Sequence, residues 1–249
     1  MFRDDLASGL ADPEGNSLLE KFGGGGLTEF VAIRTQFLDD VIRNAVDRDG
    51  IRQVVLLAAG MDTRAFRLNL PDDVVLFEVD HDALHEEKTE RLDRAGAVPA
   101  VDRRVVHADL AEDWLAPLRA AGWDASKPTV WVPEALFFFL DESAARTLLE
   151  KIRTNSARGS QLGIDVLSES LLRNPGTQLF LRKLEKEGIP WKFGTDVPEQ
   201  FFHECGWKVT ELREPGEAGV GEQRWPYQVQ SRDTAGVARN WLILAEPVV

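Results

Sequence analysis

Apolar positions along this chain follow two rhythms. Short unbroken apolar runs alternate with longer stretches in which apolar side chains recur every three or four residues. The runs predict strands buried on both faces, and the spaced stretches predict helices with one apolar stripe. Residues 1–22 have helical spacing interrupted at Pro13 and Gly15, and Gly23-Gly24-Gly25-Gly26 predicts a mobile loop. Leu27 to Val46 reads as a long helix with Phe30, Ile33, Phe37, Val41 and Ala45 on one face. Strands are expected at Gln53–Leu57, Val74–Asp80, Val101–Ala108, Thr129–Val132 and Gln161–Val166. Between them lie a short helix from Asp62 or Thr63, a helix over His81–Ala95, one over Trp114–Ala121, and one capped by Asp141 that runs to Thr154.

After the fifth strand the rhythm changes. Residues 168–190 read as a mostly helical insert, and Pro198–Cys205 as a further helix. Strands at Trp207–Leu212 and Trp241–Ala245 enclose a loop or hairpin over 214–236. No convincing helix separates these two strands, so an antiparallel pair at a sheet edge is expected. The whole pattern is α/β: a mostly parallel seven-stranded sheet with helices on both faces. One domain is expected over 1–249, with an N-terminal helical segment 1–48 and the insert at about 168–190 as a lid.

Composition narrows the functions. A net charge of −13 argues against a broad nucleic-acid or anionic-membrane footprint. Cys205 is the only cysteine, which excludes an intrachain disulfide framework and a multi-cysteine zinc site and suits a reducing cytoplasm. The start, Met1-Phe2-Arg3-Asp4-Asp5, meets acids at once, and no run approaches membrane-spanning length; a soluble cytoplasmic protein is the expectation. No H-E-x-x-H and no G-x-S-x-G are present, so zinc-hydrolase and serine-hydrolase chemistry lack their residues, and no metal site is expected.

The chemistry clusters after strand ends. The first strand runs into Ala58-Ala59-Gly60-Met61-Asp62-Thr63-Arg64, a small-residue turn of the kind at which α/β folds bind nucleotide-like ligands. Twenty residues beyond Gly60, Asp80 ends the second strand, where an acid can bind a ribose diol. Asp109 and Leu110 follow the third strand and Glu134 the fourth. Each aspartate could instead cap a helix or open a turn. Glu134 is harder to dismiss, because its neighbours Trp131-Val132-Pro133 and Ala135 to Leu140 are apolar and a carboxylate there needs a partner or a shifted pKa. Arg34, beside the apolar face of its helix, reads on its own as a snorkelling arginine.

Four ordered segments resemble the leucine carboxyl methyltransferase-like family: Arg34 to Asp40, Ala59 to Leu68, Phe77-Glu78-Val79-Asp80 and Pro133-Glu134-Ala135-Leu136. Trp191-Lys192-Phe193-Gly194 and Cys205-Gly206-Trp207 extend the likeness toward the C-terminus. The resemblance implies a Rossmann-like class I methyltransferase that uses S-adenosyl-L-methionine (AdoMet) and releases S-adenosyl-L-homocysteine. It implies that Arg34 pairs with the cofactor carboxylate and Gly60 lies beside its methionine portion. Asp80 would bind the ribose, Asp109 and Leu110 flank the adenine, and Glu134 lie near the amino group. Asp62 and Arg64 support the loop, and Ala59 and Glu78 join the cofactor set with them. Phe138, Phe139, Trp191 and Phe193 are the expected acceptor-side residues. Two departures stand out: Ala58 replaces the first glycine of the family's Gly-Ala-Gly, and Phe139 stands where relatives usually carry a tyrosine.

The family's bacterial branch contains O-methyltransferases, some acting on natural-product acids, so O-methylation in secondary metabolism is the implied role. None of His81, His85, His107 and His203 follows the fourth strand, where a general base would face the methyl. This favours a carboxylate acceptor, already ionised at neutral pH, over a phenol. A small-molecule acceptor is expected, with no catalytic base assigned. Two alternatives stay open: an AdoMet-binding interaction protein without catalysis, and a nicotinamide-dependent Rossmann enzyme.

Overall fold

The structure is a computed structural model that describes residues 3–11 and 26–248. The expected break at Pro13 and Gly15 and the glycine tract up to Gly25 lie outside the described residues.

Seven strands form one sheet in the order β3-β2-β1-β4-β5-β7-β6. They are β1 (Gln53–Leu57), β2 (Val75–Asp80), β3 (Asp102–His107), β4 (Thr129–Val132), β5 (Gln161–Leu167), β6 (Trp207–Arg213) and β7 (Asn240–Pro247). The pairs among β1 to β5 are parallel, and β7 runs antiparallel to both β5 and β6. The expected antiparallel edge pair is therefore present, with β7 inserted between β5 and β6.

Helices α1 (Ala7–Leu10), α2 (Leu27–Asp47), α3 (Arg64–Arg67), α4 (Asp82–Arg94), α5 (Leu115–Ala120), α6 (Glu142–Thr154), α7 (Glu169–Arg173), α8 (Gln178–Lys186) and α9 (Pro198–Glu204) connect or cover the strands. Asp141 caps α6 as expected, its side chain accepting the Ala144 N–H. A 3-10 turn, Phe137–Phe139, follows β4. Among the described residues no helix is long and apolar enough to cross a membrane.

The period of two in each strand builds the two larger cores. Val55 and Leu57 of β1, Phe77 and Val79 of β2, Trp131 of β4 and Leu162, Ile164 and Val166 of β5 enter one, with Trp114, Leu149 and Phe202. Val54, Leu56, Leu76, Val130 and Val132 enter the other, against Leu38, Val41, Ile42 and Ala45 of α2. Both faces of β1 are thus covered, which is why its sequence shows no alternation. Gly163 lets α2 approach β5 closely: a Cβ there would lie 3.0 Å from Val41 Cγ1 and 3.2 Å from Leu38 Cδ2. That approach brings α2, one turn earlier, over the tip of β5.

Candidate functional site

The strand order reverses between β1 and β4, and crevices that bind ligands form at such a point, beyond the carboxyl ends of the strands. The chain leaves both strands through left-handed alanines, Ala58 at φ 53° and Ala135 at φ 55°. Gly60 is also left-handed, at φ 50°. Its N–H donates to Asp80 Oδ2 at 2.7 Å, while His81 N–H donates to Oδ1 at 2.8 Å. Asp80 is therefore aimed by two backbone amides, and among the described residues these are the hydrogen-bond partners of its carboxylate.

Beside it, charged side chains from four segments interlock. Arg34 of α2 donates from Nε to Glu134 Oε1 at 2.8 Å and from Nη1 to Asp165 Oδ2 at 3.2 Å. Arg64 Nη1 lies 2.6 Å from Glu134 Oε2 and pairs with Asp62, while its Nε donates to Asp39 Oδ1 at 2.8 Å. Arg67 adds a second guanidinium to Asp39, with Nη2 donating at 2.9 Å. Thr35 Oγ1 donates to Glu134 Oε1 at 3.3 Å. Burial alone would raise the Glu134 pKa, but Arg64 and Arg34 outweigh it and hold the carboxyl at about 2. Burial opposes the charge on Arg34, yet Asp165 and Glu134 overcome it and raise its pKa. Asp62 and Asp165 go the other way: burial lifts each above its ordinary range against the pull of Arg64 and Arg34 respectively.

The residues expected from the sequence separate into three groups. Gly60, Asp80 and Glu134 follow or end β1, β2 and β4, and Arg34 of α2 reaches Glu134. Ala59 supports the turn, its N–H donating to Val79 O at 3.2 Å, and Asp62 is occupied by Arg64, including the backbone N–H at 2.6 Å. Arg64 is 1% exposed and acts as scaffold. Asp109 is exposed at the β3 tip, its Oδ1 accepting the Ala111 N–H at 2.8 Å, with Leu110 partly buried beside it.

Two expectations need correction. Glu78 does not reach the crevice. It is fully buried, with Oε2 2.7 Å from both Lys88 Nζ and Arg103 Nη2. It lies two residues before the strand tip, so the parity that puts it on the Asp80 face also buries it. Phe193 is not on an open acceptor face. It is 4% exposed and packs in the main core, its ring 4.9 Å from Phe201 and 6.4 Å from Phe137. Phe138, Trp191 and Phe180 instead form a ladder with ring separations of 5.0 and 5.1 Å, and Phe139 beside it is 39% exposed.

Sequence reading passed over Asp165 and gave no role to Thr35, Asp39 and Arg67, which lie within the motif segments. Asp165 had a signal: Leu162, Ile164 and Val166 fill one face of β5, leaving an acid on the opposite, helix-covered face.

The fold defines a Rossmann-like α/β protein of class I architecture, with charged side chains gathered at its switch point. Comparison with known proteins places it further: the leucine carboxyl methyltransferase profile matches residues 1–153, and the chain belongs to that family. A Mycolicibacterium gilvum protein, provisionally named an S-adenosyl-L-methionine-dependent methyltransferase, is 33% identical over 95% of this chain and 74% of its own length. A Mycobacterium avium protein of the same provisional name is 41% identical over 72% of this chain. The match spans only 58% of that relative's length. Among solved structures, a provisionally named methyltransferase from Thermobifida fusca has a TM-score of 0.72 at 17% identity, covering 98% of this chain and 94% of its own. Magnesium protoporphyrin IX methyltransferase from Synechocystis, solved with S-adenosylhomocysteine, has a TM-score of 0.53 at 11% identity, covering 94% of this chain and 95% of its own. At these identities the structural likeness concerns the fold.

Proposed function

We propose that this protein is an AdoMet-dependent O-methyltransferase acting on the carboxylate of a small-molecule acid. The observation that carries the cofactor reading is the pairing of two features at one switch point: the amide-held Asp80 carboxylate and the Arg34–Glu134 pair. Asp80 fits a ribose diol, Glu134 an ammonium, and Arg34 a carboxylate. Among the described residues the Nε and Nη1 of Arg34 are engaged, and in this reading Nη2 meets a ligand oxygen. In this reading Asp109 and Leu110, which follow β3, would flank the adenine.

AdoMet, when bound, supplies a methyl group on a sulfonium, and the transfer is an in-line displacement. The protein's part is to orient the two reactants and exclude water. A carboxylate needs no base at neutral pH. His81 and His85 lie at the β2 end and on α4, His107 ends β3, and His203 is on α9, so none belongs to the β4 tip or the insert. Residues 169–192 carry five lysines and arginines against three glutamates in a chain of net charge −13, which suits an anionic acceptor. The exposed Phe139 and the half-buried Trp191 offer apolar surface for the rest of the acceptor.

Calorimetric titration with S-adenosylhomocysteine tests the cofactor: the folded protein binds it and gains thermal stability. No binding at millimolar ligand would reject it. Incubation with isotope-labelled AdoMet and a panel of carboxylic acids and phenols, read by mass, tests the acceptor. Label found only on phenols would reject the carboxylate assignment. Replacing residues 169–187 with a short loop is expected to remove methyl transfer while sparing cofactor binding, as a lid over the acceptor requires.

A further inference from the structure

Asp165 is a carboxylate with no exposed surface in the middle of an apolar strand, and none of the readings above uses it. A buried carboxylate is strongly disfavoured unless it is paired and hydrogen-bonded. Its two oxygens have different partners. Oδ1 accepts the N–H of Ala135 at 2.8 Å, and Oδ2 accepts from Arg34 Nη1 at 3.2 Å. Arg34 in turn donates through Nε to Glu134, the residue before Ala135. These contacts close a ring: Asp165 to Arg34, Arg34 to Glu134, Glu134 through its own peptide to Ala135, and Ala135 back to Asp165.

The ring has a direction built into it. Two edges of the planar guanidinium are tied down, so its remaining corner has one orientation. The Ala135 peptide, which is left-handed and therefore strained for an alanine, is tied at its amide. That tie sets where the chain turns after β4 and hence where the Glu134 side chain starts. The parity of β5 makes the arrangement possible, because Asp165 shares a face with Gly163, where α2 comes closest.

We propose that Asp165 is a positioning residue that fixes Arg34 and Glu134 for the amino-acid end of the cofactor, without touching the cofactor itself. The inference rests on the cofactor reading above and goes beyond it by assigning the support of that end to one residue on a different strand. It makes a selective statement. Loss of Asp165 disturbs recognition of a ligand's carboxylate and ammonium and leaves recognition of its adenosine alone.

The experiment uses two ligands that share the thioether nucleoside and differ in the amino acid: S-adenosylhomocysteine and 5′-methylthioadenosine. Asp165→Asn keeps the shape but sets an amide against either the guanidinium or the Ala135 N–H. It is expected to weaken S-adenosylhomocysteine about tenfold or more, in keeping with loss of a charge-assisted contact, while methylthioadenosine affinity stays within about twofold. In an Arg34→Ala background the same substitution should cost clearly less than it does alone, because one of its two arms passes through Arg34. Equal weakening of both ligands, or full additivity in the double variant, would overturn the proposal. If Asp165→Asn does not fold, Asp165→Glu, which keeps the charge one methylene further out, is read by the same ligand pair and the same criteria. A wild-type protein that binds neither ligand would instead reject the cofactor reading, and this inference with it.

Discussion

The two sides of the crevice are built from different materials. On the β1–β4 side, buried ions hold the tips: Arg64 and Asp39 are 1% and 0% exposed, and Asp39, Arg64, Glu134, Arg34 and Asp165 form one alternating chain. On the side of the insert, contacts are apolar and aromatic: Leu171 is the buried residue of α7 and Leu184 that of α8, while Leu179 is 65% exposed. Ion pairs and hydrogen bonds fix directions, whereas ring contacts chiefly exclude water. A cofactor that must be held in one pose suits the first material.

The sharpest way to break this contrast is Arg64→Ala. It would leave Asp39, Asp62 and Glu134 without their shared cation in a buried place, and stability should fall by about 3–5 kcal/mol. Trp191→Ala, in the half-buried ladder, should cost clearly less. Denaturant unfolding of both variants measures the difference. Equal costs would mean that the two sides are held alike.

Next in size is a pH effect. The folded Glu134 pKa of about 2 lies below its unfolded value, so the carboxylate contributes stability that is fully present above the unfolded pKa, near 4.5. That contribution is lost as pH falls from there through about 2. Glu134→Gln should therefore be less stable than wild type at neutral pH by on the order of 3 kcal/mol, and the gap should close in acid. Asp62 and Asp165 have raised values and so the opposite sign: protonating them favours the folded state. A gap between wild type and Glu134→Gln that stays constant from pH 7 to pH 3 would contradict the pairing.

Smaller again is Asp80→Ala. It removes the expected ribose acceptor and should cost about 1–3 kcal/mol of S-adenosylhomocysteine affinity. Unchanged affinity in calorimetry would remove Asp80 from the site.

Much of the β1–β4 side was legible in the sequence, for a physical reason. Strand tips are announced by the end of an apolar run, so Gly60, Asp80, Asp109 and Glu134 could be put at tips from local pattern alone. What could not be read is pairing across the fold. Asp165 meets Arg34 across 131 positions, and only the close approach at Gly163 decides that they touch. Glu78 and Phe193 show the same limit from the other side. Each belongs to a recognisable motif, yet Lys88 and Arg103 claim the first, and Phe137 and Phe201 the second. The insert was legible as a break in rhythm, and its two short helices fall within it, but which of its aromatics face outward depends on packing against Phe138.

The smallest expected effect concerns the two turns themselves. Ala58 and Ala135 occupy the left-handed region at the tips of β1 and β4, where an L-residue with a Cβ is disfavoured by roughly 1–2 kcal/mol. Glycine removes that penalty but gains freedom in the unfolded chain, worth about 0.4–1 kcal/mol. The balance favours the folded state, so Ala58→Gly should stabilise the protein by about 0.5–1 kcal/mol. Ala135→Gly should gain no more, because the Ala135 amide is already held by Asp165, and a looser peptide there has a partner to lose. Urea midpoints for the two variants provide the measurement. A destabilised Ala58→Gly would show that the alanine methyl packs usefully against its neighbours. A larger gain at 135 than at 58 would show that the Asp165 tie does not restrain the turn, and would weaken the case that the ion-paired side is the stiffer of the two.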